Sequence, residues 1–127
     1  MGLVTRPLLN AERLADWARG EGFDDLVPSA WHATVIMSNG VCPLDTSSLT
    51  LKPNPNRSVV TMGYFIALSF RSLSLARRHA AHRRAGGHWD FATYRPHVSF
   101  AIRDRRELRE IQPYDGRLIF GPETMGW

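Results

Sequence analysis

The sequence predicts an α+β fold in which antiparallel sheets are flanked by helices. Its 127 residues fit one domain, and 43% of them are hydrophobic, which is close to the average of globular proteins. Short runs of β-branched and aromatic residues alternate with two longer stretches of helical character, and no linker or low-complexity tail separates them. We therefore expect residues 1–127 to form a single compact domain with its own core.

The first third of the chain predicts a strand, a helix and a second strand. Residues 3–5 are a short run with β character that Pro7 ends. Asn10 is a favourable N-cap for a helix that continues to about residue 19. The alternation over residues 31–38 is typical of a half-buried strand. The helix is expected to lie on a sheet through one apolar face, which consists of Leu14, Trp17 and Ala18.

The rest of the chain predicts a long loop, a hairpin, a second helix and further strands. Residues 39–57 are rich in Pro and Asn, which is typical of a loop, and a short strand at 48–51 interrupts it. Residues 59–70 predict a hairpin or two short strands around Gly63. The remaining expected elements are a helix over about 72–85, a strand over 94–102, a short helix over about 104–110 capped by Asp104, and a strand over 117–120.

Charge and cysteine content narrow the classes of function. The net charge is +4, and Arg supplies 15 of the 16 basic residues. This preference for Arg reflects either a GC-rich coding sequence or a preference for phosphate groups, which a guanidinium binds through two hydrogen bonds. Cys42 is the only cysteine, which excludes an internal disulfide and a Cys-rich zinc site. No apolar run approaches the ~18 residues of a membrane span, and no signal-peptide pattern opens the chain, so we expect a cytoplasmic protein without a membrane partner.

Two predicted strands carry matching triplets of a histidine, an apolar residue and a hydroxyl residue. His32 and Thr34 lie on the first strand, and His97 and Ser99 lie on the second. Because alternate residues of a strand point to the same face, each histidine projects beside a hydroxyl while the neighbouring residues face the core. Two such strands on one cleft would place two imidazoles and two hydroxyls around a ligand.

This set of groups suits phosphoryl chemistry without a metal. An imidazole titrates near neutral pH, so one neutral ring can take a proton from a nucleophilic hydroxyl while the other, protonated, gives a proton to the leaving oxygen. The hydroxyls of Thr34 and Ser99 would donate hydrogen bonds to phosphate oxygens. A single triplet is more often a half-buried histidine with a satisfied hydrogen bond. Two triplets of matching pattern in so short a chain favour catalysis.

The paired triplets resemble those of the 2H phosphoesterase superfamily, and longer segments resemble the phage anti-CBASS phosphodiesterase family. The resemblance covers nearly the whole chain and is weakest over 39–65. It implies a compact two-lobed fold with the active cleft between the lobes, and hydrolysis of the cyclic oligonucleotides that bacterial CBASS immunity uses as signals. The segments that carry it are residues 6–18, Arg78-His79, residues 87–99, residues 111–116 and residues 120–123.

Carried over by position, the resemblance gives catalytic roles to four residues. His32 and His97 match the catalytic histidines, and Thr34 and Ser99 match the hydroxyls that bind phosphate. Threonine is usual where Ser99 stands, but the hydroxyl is kept and activity is expected to survive. Two further residues are substrate-binding candidates at the end of the chain: Glu123, expected to reach a base, and Trp127.

The reaction that this resemblance implies needs neither a metal nor another cofactor. The ribose 2′-OH attacks the adjacent 3′–5′ phosphodiester, one histidine removes the 2′ proton and the other protonates the departing 5′ oxygen. The expected partner is a cyclic di- or trinucleotide substrate in the cytoplasm of the bacterial host. No stable complex with a long nucleic acid is expected, and a homo-oligomer is left open.

Two other functions fit the same residues. An enzyme that acts on 2′,3′-cyclic phosphate ends of RNA would use the same chemistry. A non-catalytic protein that sequesters cyclic nucleotides, a sponge, would need arginines but no acid–base pair. Substrate shape separates the first alternative from the leading prediction, and the behaviour of a His32→Ala variant separates the second.

The second helix and two aromatic residues have simpler interpretations. His79 and His82 are spaced to share a metal, but nearby carboxylates are lacking in sequence, and a solvated helix face is favoured over a metal site or a nucleic-acid contact. Trp31 and Phe91 are expected in the core. The apolar stripe of this helix is expected to consist of Leu73, Ala76 and Ala80.

Overall fold

Residues 1–126, which the computed structural model describes, form two helices and three antiparallel sheets. The predicted α+β class with antiparallel sheets is therefore confirmed. In chain order the elements are β1 (Gly2–Pro7), α1 (Ala11–Gly20), β2 (His32–Ser38), β3 (Leu49–Leu51), β4 (Ser58–Met62), β5 (Phe65–Ser69), α2 (Leu73–Arg84), β6 (His97–Ile102), β7 (Leu118–Phe120) and β8 (Thr124–Gly126).

The two strands with histidine triplets are edge strands of different sheets. One sheet has the strand order β2-β1-β8, and another has the order β4-β5-β6. The edge strands β2 and β6 lie against each other. A two-stranded sheet of β3 and β7 completes the arrangement. The topology thus brings the two triplets, which lie far apart in sequence, to one junction between sheets.

The chain segment that leads into each histidine strand pairs with the other histidine strand. Before β2, Val27 N donates to Phe100 O of β6 at 2.8 Å, and Ile102 N donates to Asp25 O at 2.9 Å. Before β6, His88 N donates to Met37 O of β2 at 2.8 Å. These reciprocal bonds tie the two edges together. Because both strands are held from both sides of the junction, the two triplets are fixed relative to each other.

The helices begin for different reasons. Ser72 caps α2, since its Oγ accepts a hydrogen bond from Leu75 N at 3.1 Å. Asn10 precedes α1 as predicted, but its side chain does not cap the helix. Its Nδ2 donates to Arg117 O at 2.8 Å and its Oδ1 accepts from Ile119 N at 3.0 Å. Asn10 therefore joins the start of α1 to the β7 segment.

The core lies behind the two triplets. Ala33 and Val98, which separate each histidine from its hydroxyl residue, have no exposed surface. Phe100 lies at the centre of an aromatic group, with ring centroids 5.2 Å from Trp17, 5.1 Å from Phe23 and 6.4 Å from Trp31. Trp31 is buried, as predicted. The packing of these rings against the buried Phe100 supports β6 from behind.

Some predicted elements are wrong. No helix forms over 104–110, because Asp104 Oδ1 accepts from Arg106 N in a turn and the Arg106 guanidinium lies 4.2 Å from the centre of the Phe23 ring. The three-residue strand β8, which pairs with β1, was not predicted. Phe91 is 69% exposed and Leu73 is 67% exposed, so neither belongs to the core.

Candidate active site

Each histidine is the first residue of its strand and is held by a local hydrogen bond. His32 Nδ1 donates to Ala30 O at 2.6 Å, and His97 Nδ1 donates to Arg95 O at 2.9 Å. In both cases the acceptor is the carbonyl two residues earlier. A carbonyl oxygen only accepts, so the Nδ1 atom of each ring carries a proton. The proton that each ring takes up or releases is therefore at Nε2, which makes no hydrogen bond within residues 1–126.

A β-bulge follows the hydroxyl residue in both strands at the same position. In β2, Thr34 pairs with Thr5 and Ile36 pairs with Val4, so Val35 is the extra residue. In β6, Ser99 pairs with Ala67 and Ala101 pairs with Ile66, so Phe100 is the extra residue. An extra residue shifts the alternation of faces by one. Val35 and Ile36 in β2, and Phe100 and Ala101 in β6, are consequently buried in succession, while the triplets keep their polar side chains on the cleft side.

All four predicted catalytic residues line one cavity. This cavity, which we call the histidine cavity, has a volume of about 300 Å³ and is lined by His32, Thr34, His97 and Ser99 together with Val27, Ser29, Ala30 and Phe65. Two imidazoles with free Nε2 atoms and two hydroxyls thus share a single space. Such a set can accept one proton, donate another and hydrogen-bond an anion between them.

The backbone before His32 is strained. Ala30 has φ +60°, the left-handed region that L-residues other than Gly rarely adopt. The same residue supplies the carbonyl that binds His32 Nδ1 and lines the histidine cavity. Strained backbone of this kind persists where the surrounding structure enforces it, often at functional sites. Here it aims a carbonyl at the histidine ring.

Tyr94 and His79 support β2 through its backbone carbonyls, a role that the sequence did not predict for either residue. Tyr94 Oη donates to Thr34 O at 2.7 Å, and His79 Nδ1 donates to Val35 O at 2.8 Å. The two rings stack, with centroids 4.2 Å apart and planes inclined by 12°. Burial raises the pKa of Tyr94, which keeps its hydroxyl proton in the bond to Thr34. The spacing of these residues gave no signal of this role, since they come from α2 and from a loop.

Glu123 is not placed in the histidine cavity. Its side chain has no exposed surface. Its carboxylate accepts from Arg78 Nε at 2.9 Å and Arg78 Nη2 at 2.8 Å, from His82 Nε2 at 3.0 Å and from Asp45 N at 3.0 Å. Burial raises the pKa of Glu123, but these hydrogen bonds outweigh it and the net direction is down. The predicted contact of Glu123 with a substrate base has no support in this arrangement.

The ion cluster around Glu123, formed with Arg78, His82, Asp45 and Arg6, also corrects the prediction for α2. The predicted solvated face is wrong for His82, which is buried, and for Arg78, which is 25% exposed in its side chain. Leu73 and Ala76 of the predicted apolar stripe are exposed, whereas Leu75 is buried. The inward face of α2 is therefore largely polar, and Arg78 and His82 on this face both contact the Glu123 carboxylate. Trp127, the other predicted substrate-binding residue, lies outside the described residues.

Neither a membrane helix nor a metal cluster is found in the part of the chain that the structure describes. Neither helix of residues 1–126 combines the length and apolar character that crossing a membrane requires. Over the same residues, His, Cys, Asp and Glu side chains do not gather in groups of three or more that could hold a metal ion.

The fold and this cavity define an α+β protein with a candidate site of two histidines and two hydroxyl residues. The sequence model of the family described as anti-CBASS protein Acb1 matches residues 3–126. The chain therefore belongs to the anti-CBASS protein Acb1 family.

Two relatives carry the same name. The chain is 32% identical over 140 aligned residues to an anti-CBASS protein Acb1 of Caulobacter sp. (strain RHG1), with 95% of this chain and 21% of that protein covered. It is 33% identical over 138 residues to an anti-CBASS protein Acb1 of Sphingomonas paeninsulae, with 95% of this chain and 22% of that protein covered. The chain thus spans about a fifth of the length of the curated relatives it matches.

Proposed function

We propose that this protein is a metal-independent phosphodiesterase that cleaves the 3′–5′ bonds of cyclic di- or trinucleotide signals and so counters bacterial CBASS immunity. The anti-CBASS role is taken from the family name, and cyclic oligonucleotides are the signals of that immunity. We further propose that the chain is one domain of the 2H phosphoesterase type, with the sheets β2-β1-β8 and β4-β5-β6 as its two lobes. Its place of action would be the cytoplasm of the bacterial host.

The observation that carries this proposal is the matched construction of the two triplets. Each histidine begins an edge strand, donates Nδ1–H to the carbonyl two residues earlier, and is followed by a hydroxyl residue and a bulge. Both Nε2 atoms are left to act on a ligand in one cavity. A binding site needs no such repetition, whereas a reaction that removes one proton and delivers another is served by a base and an acid on the same cavity.

The proposed reaction has balanced proton transfers. The Nε2 atom of one neutral histidine removes the proton of the ribose 2′-OH, whose oxygen attacks the adjacent phosphorus. The O2′–P bond forms and the P–O5′ bond breaks, leaving a 2′,3′-cyclic phosphate. The Nε2–H of the other histidine, protonated beforehand, gives its proton to the departing O5′. Water then attacks the cyclic phosphate with the two histidines in exchanged roles. A bond forms between the water oxygen and phosphorus and the P–O2′ bond breaks, while the neutral ring takes a water proton and the protonated ring gives its proton to O2′.

The hydroxyls of Thr34 and Ser99 have a separate task. Both line the histidine cavity, one beside each ring. Each Oγ–H can donate to a non-bridging phosphate oxygen, on which negative charge increases in the transition state. Tyr94 holds the Thr34 backbone through its hydrogen bond to Thr34 O. The Thr34 backbone is therefore held before a ligand arrives.

A chromatographic time course in EDTA tests this function. The substrates are 3′,3′- and 2′,3′-linked cyclic di- and trinucleotides, and the proteins are the parent, His32→Ala and His97→Ala. Leu73→Ala is the control, since Leu73 is an exposed residue outside the histidine cavity. We expect turnover by the parent and by the control, and its loss in both histidine variants.

Several outcomes would contradict the proposal. Turnover by the parent that disappears in EDTA would indicate a metal-dependent reaction. Cleavage of a 2′-deoxy cyclic dinucleotide would exclude attack by the 2′-OH. Tight binding of cyclic nucleotides without cleavage would indicate a sponge. Turnover confined to RNA 2′,3′-cyclic phosphate ends would indicate an end-processing enzyme.

A further inference from the structure

A second cavity adjoins the histidine cavity and shares two of its residues. Its volume is about 740 Å³, and both Thr34 and His97 line it. Volumes of this size are typical of sites for small molecules and cofactors. Because Thr34 and His97 line both cavities, a ligand whose phosphate lies between the histidines has the larger space beside it.

The larger cavity is lined by flat or polarisable apolar side chains together with polar and charged ones. Trp89 and Phe91 come from the loop before β6, and Met37 and Met62 come from β2 and β4. Arg95 brings a guanidinium to the same wall. Its Nε donates to Ser69 Oγ at 3.3 Å, and its Nη1 and Nη2 make no hydrogen bond within residues 1–126. The wall therefore combines apolar faces with the Arg95 guanidinium, which has unused donors, and with the exposed pair of His88 and Asp90.

Phe91 is unusually placed for an aromatic residue. It is 69% exposed, yet its ring is held by Trp89 in an edge-on contact, with centroids 5.5 Å apart and planes inclined by 69°. Trp89 is itself fixed, because its Nε1 donates to Thr93 O at 3.1 Å and its ring lies 5.6 Å from Tyr94 and 5.0 Å from His79. An edge-on neighbour leaves a face of the Phe91 ring open to the cavity. A rigid, exposed aromatic face loses little freedom when a flat ligand stacks on it.

We infer that the larger cavity is a nucleobase subsite in which a base of the substrate stacks on Phe91 while Arg95 donates to an acceptor of the same nucleotide. This inference rests on the proposed function, since the base belongs to a nucleotide whose phosphate lies between the histidines. The two lining residues that the cavities share, Thr34 and His97, favour a nucleotide over a peptide or a second copy of the chain. A base offers a π face to the ring, and a nucleotide offers anionic or carbonyl oxygens to the guanidinium.

The experiment compares two ligands that differ by one base. The first is a 2′-deoxy cyclic dinucleotide, which lacks the attacking hydroxyl, and the second is its analogue with one base replaced by hydrogen. Dissociation constants are measured by calorimetry for the parent, Phe91→Ala and Phe91→Tyr. Leu73→Ala is the matched control, because Leu73 is 67% exposed and lies outside both cavities. Sedimentation of each protein without ligand accompanies the titrations.

The expected result is selective for the base. Phe91→Ala should weaken the binding of the two-base ligand about tenfold, in line with the loss of one stacking contact. It should weaken the one-base analogue about twofold or less when the missing base is the one that stacks. Phe91→Tyr keeps the ring and should bind within about twofold of the parent, as should Leu73→Ala.

The contrary results are distinct. Equal weakening of both ligands by Phe91→Ala, whichever base is removed, or no weakening of either, would overturn the subsite and leave the phosphodiesterase proposal standing. A change of sedimentation in Phe91→Ala without a change in ligand binding would show that Phe91 covers an interface between copies. Failure of the parent to bind either ligand, together with no turnover of the ribose form, would overturn the subsite and the proposed function together.

Discussion

His97 is the first residue of β6 and His82 lies in α2, and the two imidazole rings differ in their hydrogen bonds and in their access to a cavity. His97 Nδ1 donates a hydrogen bond to a backbone carbonyl, and its Nε2 is left to the histidine cavity. His82 is buried, and its Nε2 donates to the Glu123 carboxylate at 3.0 Å. Its Nδ1 makes no hydrogen bond to residues 1–126 and reaches no solvent. The His97 ring is thus oriented with one nitrogen open to the cavity, whereas the His82 ring is bound within the ion cluster around Glu123.

The difference teaches what separates a candidate catalytic histidine from a structural one. Both occur in sequence patterns that invite a functional interpretation, as a His-x-Ser triplet or as two histidines one helical turn apart. Proton transfer needs a nitrogen that faces a ligand, with the other nitrogen held so that the tautomer is defined. In His32 and His97 the Nδ1 atom is held and Nε2 is left to the histidine cavity. In His82 the Nε2 atom is held by Glu123, but Nδ1 is buried away from any cavity, so only the second condition is met.

The largest expected effect is on turnover at His97, whereas the main effect at His82 is expected on the free energy of unfolding. His97→Ala should lower the turnover of a cyclic dinucleotide by about 10²–10⁴-fold, the usual contribution of one proton transfer. Its free energy of unfolding should change by about 0.5 kcal/mol or less, since its ring packs at the surface of a cavity. His82→Ala should instead lower the free energy of unfolding strongly and affect turnover less. Initial rates and urea unfolding of both variants check this, and a stable but inactive His82→Ala would contradict it.

A second comparison tests the ion cluster against an exposed ion pair. Glu123→Gln keeps the shape of the side chain but leaves Arg78 without its partner inside the protein. We expect a loss of about 3 kcal/mol, at the lower end of the range for breaking a buried pair, because Arg78 is partly hydrated. Asp16→Asn breaks the exposed pair of Asp16 with Arg19 and should change stability by less than about 0.5 kcal/mol. Equal losses in the two variants, measured by urea unfolding, would refute the structural role of the cluster.

The same cluster should make the protein sensitive to acid. Hydrogen bonds from the Ser47 hydroxyl and backbone N–H, together with Arg6, lower the pKa of Asp45 to about 2. The pKa of Glu123 is also lowered. A carboxyl whose pKa is lower in the folded state stabilises the fold above the unfolded pKa, near 4, and this stability is lost as pH falls through the folded pKa.

The window for this loss is therefore between about pH 4 and pH 2. Urea unfolding at pH 5, 4, 3 and 2.5 should show a falling free energy of unfolding in the parent. A Glu123→Gln, Asp45→Asn double variant should start lower and decline less over the same range. An identical pH slope in parent and double variant would show that the acid sensitivity comes from other carboxyls.

The sequence predicted the triplets well because their signal is local. Alternation in a strand defines which residues share a face, so the grouping of His32 with Thr34 and of His97 with Ser99 followed directly. Helix α2 was also predicted within a residue or two, through Ser72 at its start and Gly86 after its end. The contribution of all four residues to one cavity is the part of the site that the structure adds.

The errors have a common cause in long-range contacts. Phe91 looked like a core residue because apolar residues usually are, but its place beside Trp89 leaves its ring exposed. The polar inward face of α2 could not be foreseen, since Glu123, the partner of Arg78 and His82, lies about forty residues further along the chain. The short helix expected after Asp104 gave way to a turn, because the Arg106 side chain contacts Phe23 and Glu21 instead.

The smallest expected effects concern the backbone that orients His32. Ala30 and Gly63 have nearly the same left-handed φ, +60° and +62°, and a Cβ added to Gly63 would meet no atom within 4 Å. Ala30→Gly should relieve strain of about 1–2 kcal/mol, partly offset by the greater freedom of Gly in the unfolded chain, for a net gain of about 0.5 kcal/mol. Gly63→Ala should destabilise by about 1 kcal/mol, since the strain is then introduced.

Gly20→Ala serves as the control, because Gly20 ends α1 outside the left-handed region and its Cβ would also meet open space. It should stabilise slightly, as expected for Ala over Gly in a helix. Unfolding free energies that move in the same direction for Ala30→Gly and Gly63→Ala would contradict the assigned strain. If the strain also serves to hold the carbonyl on His32 Nδ1, Ala30→Gly should lower turnover a few-fold while it gains stability. Lower turnover together with higher stability would show that the strained backbone of Ala30 serves to position His32. An unchanged turnover rate would show that the strain has no part in positioning His32.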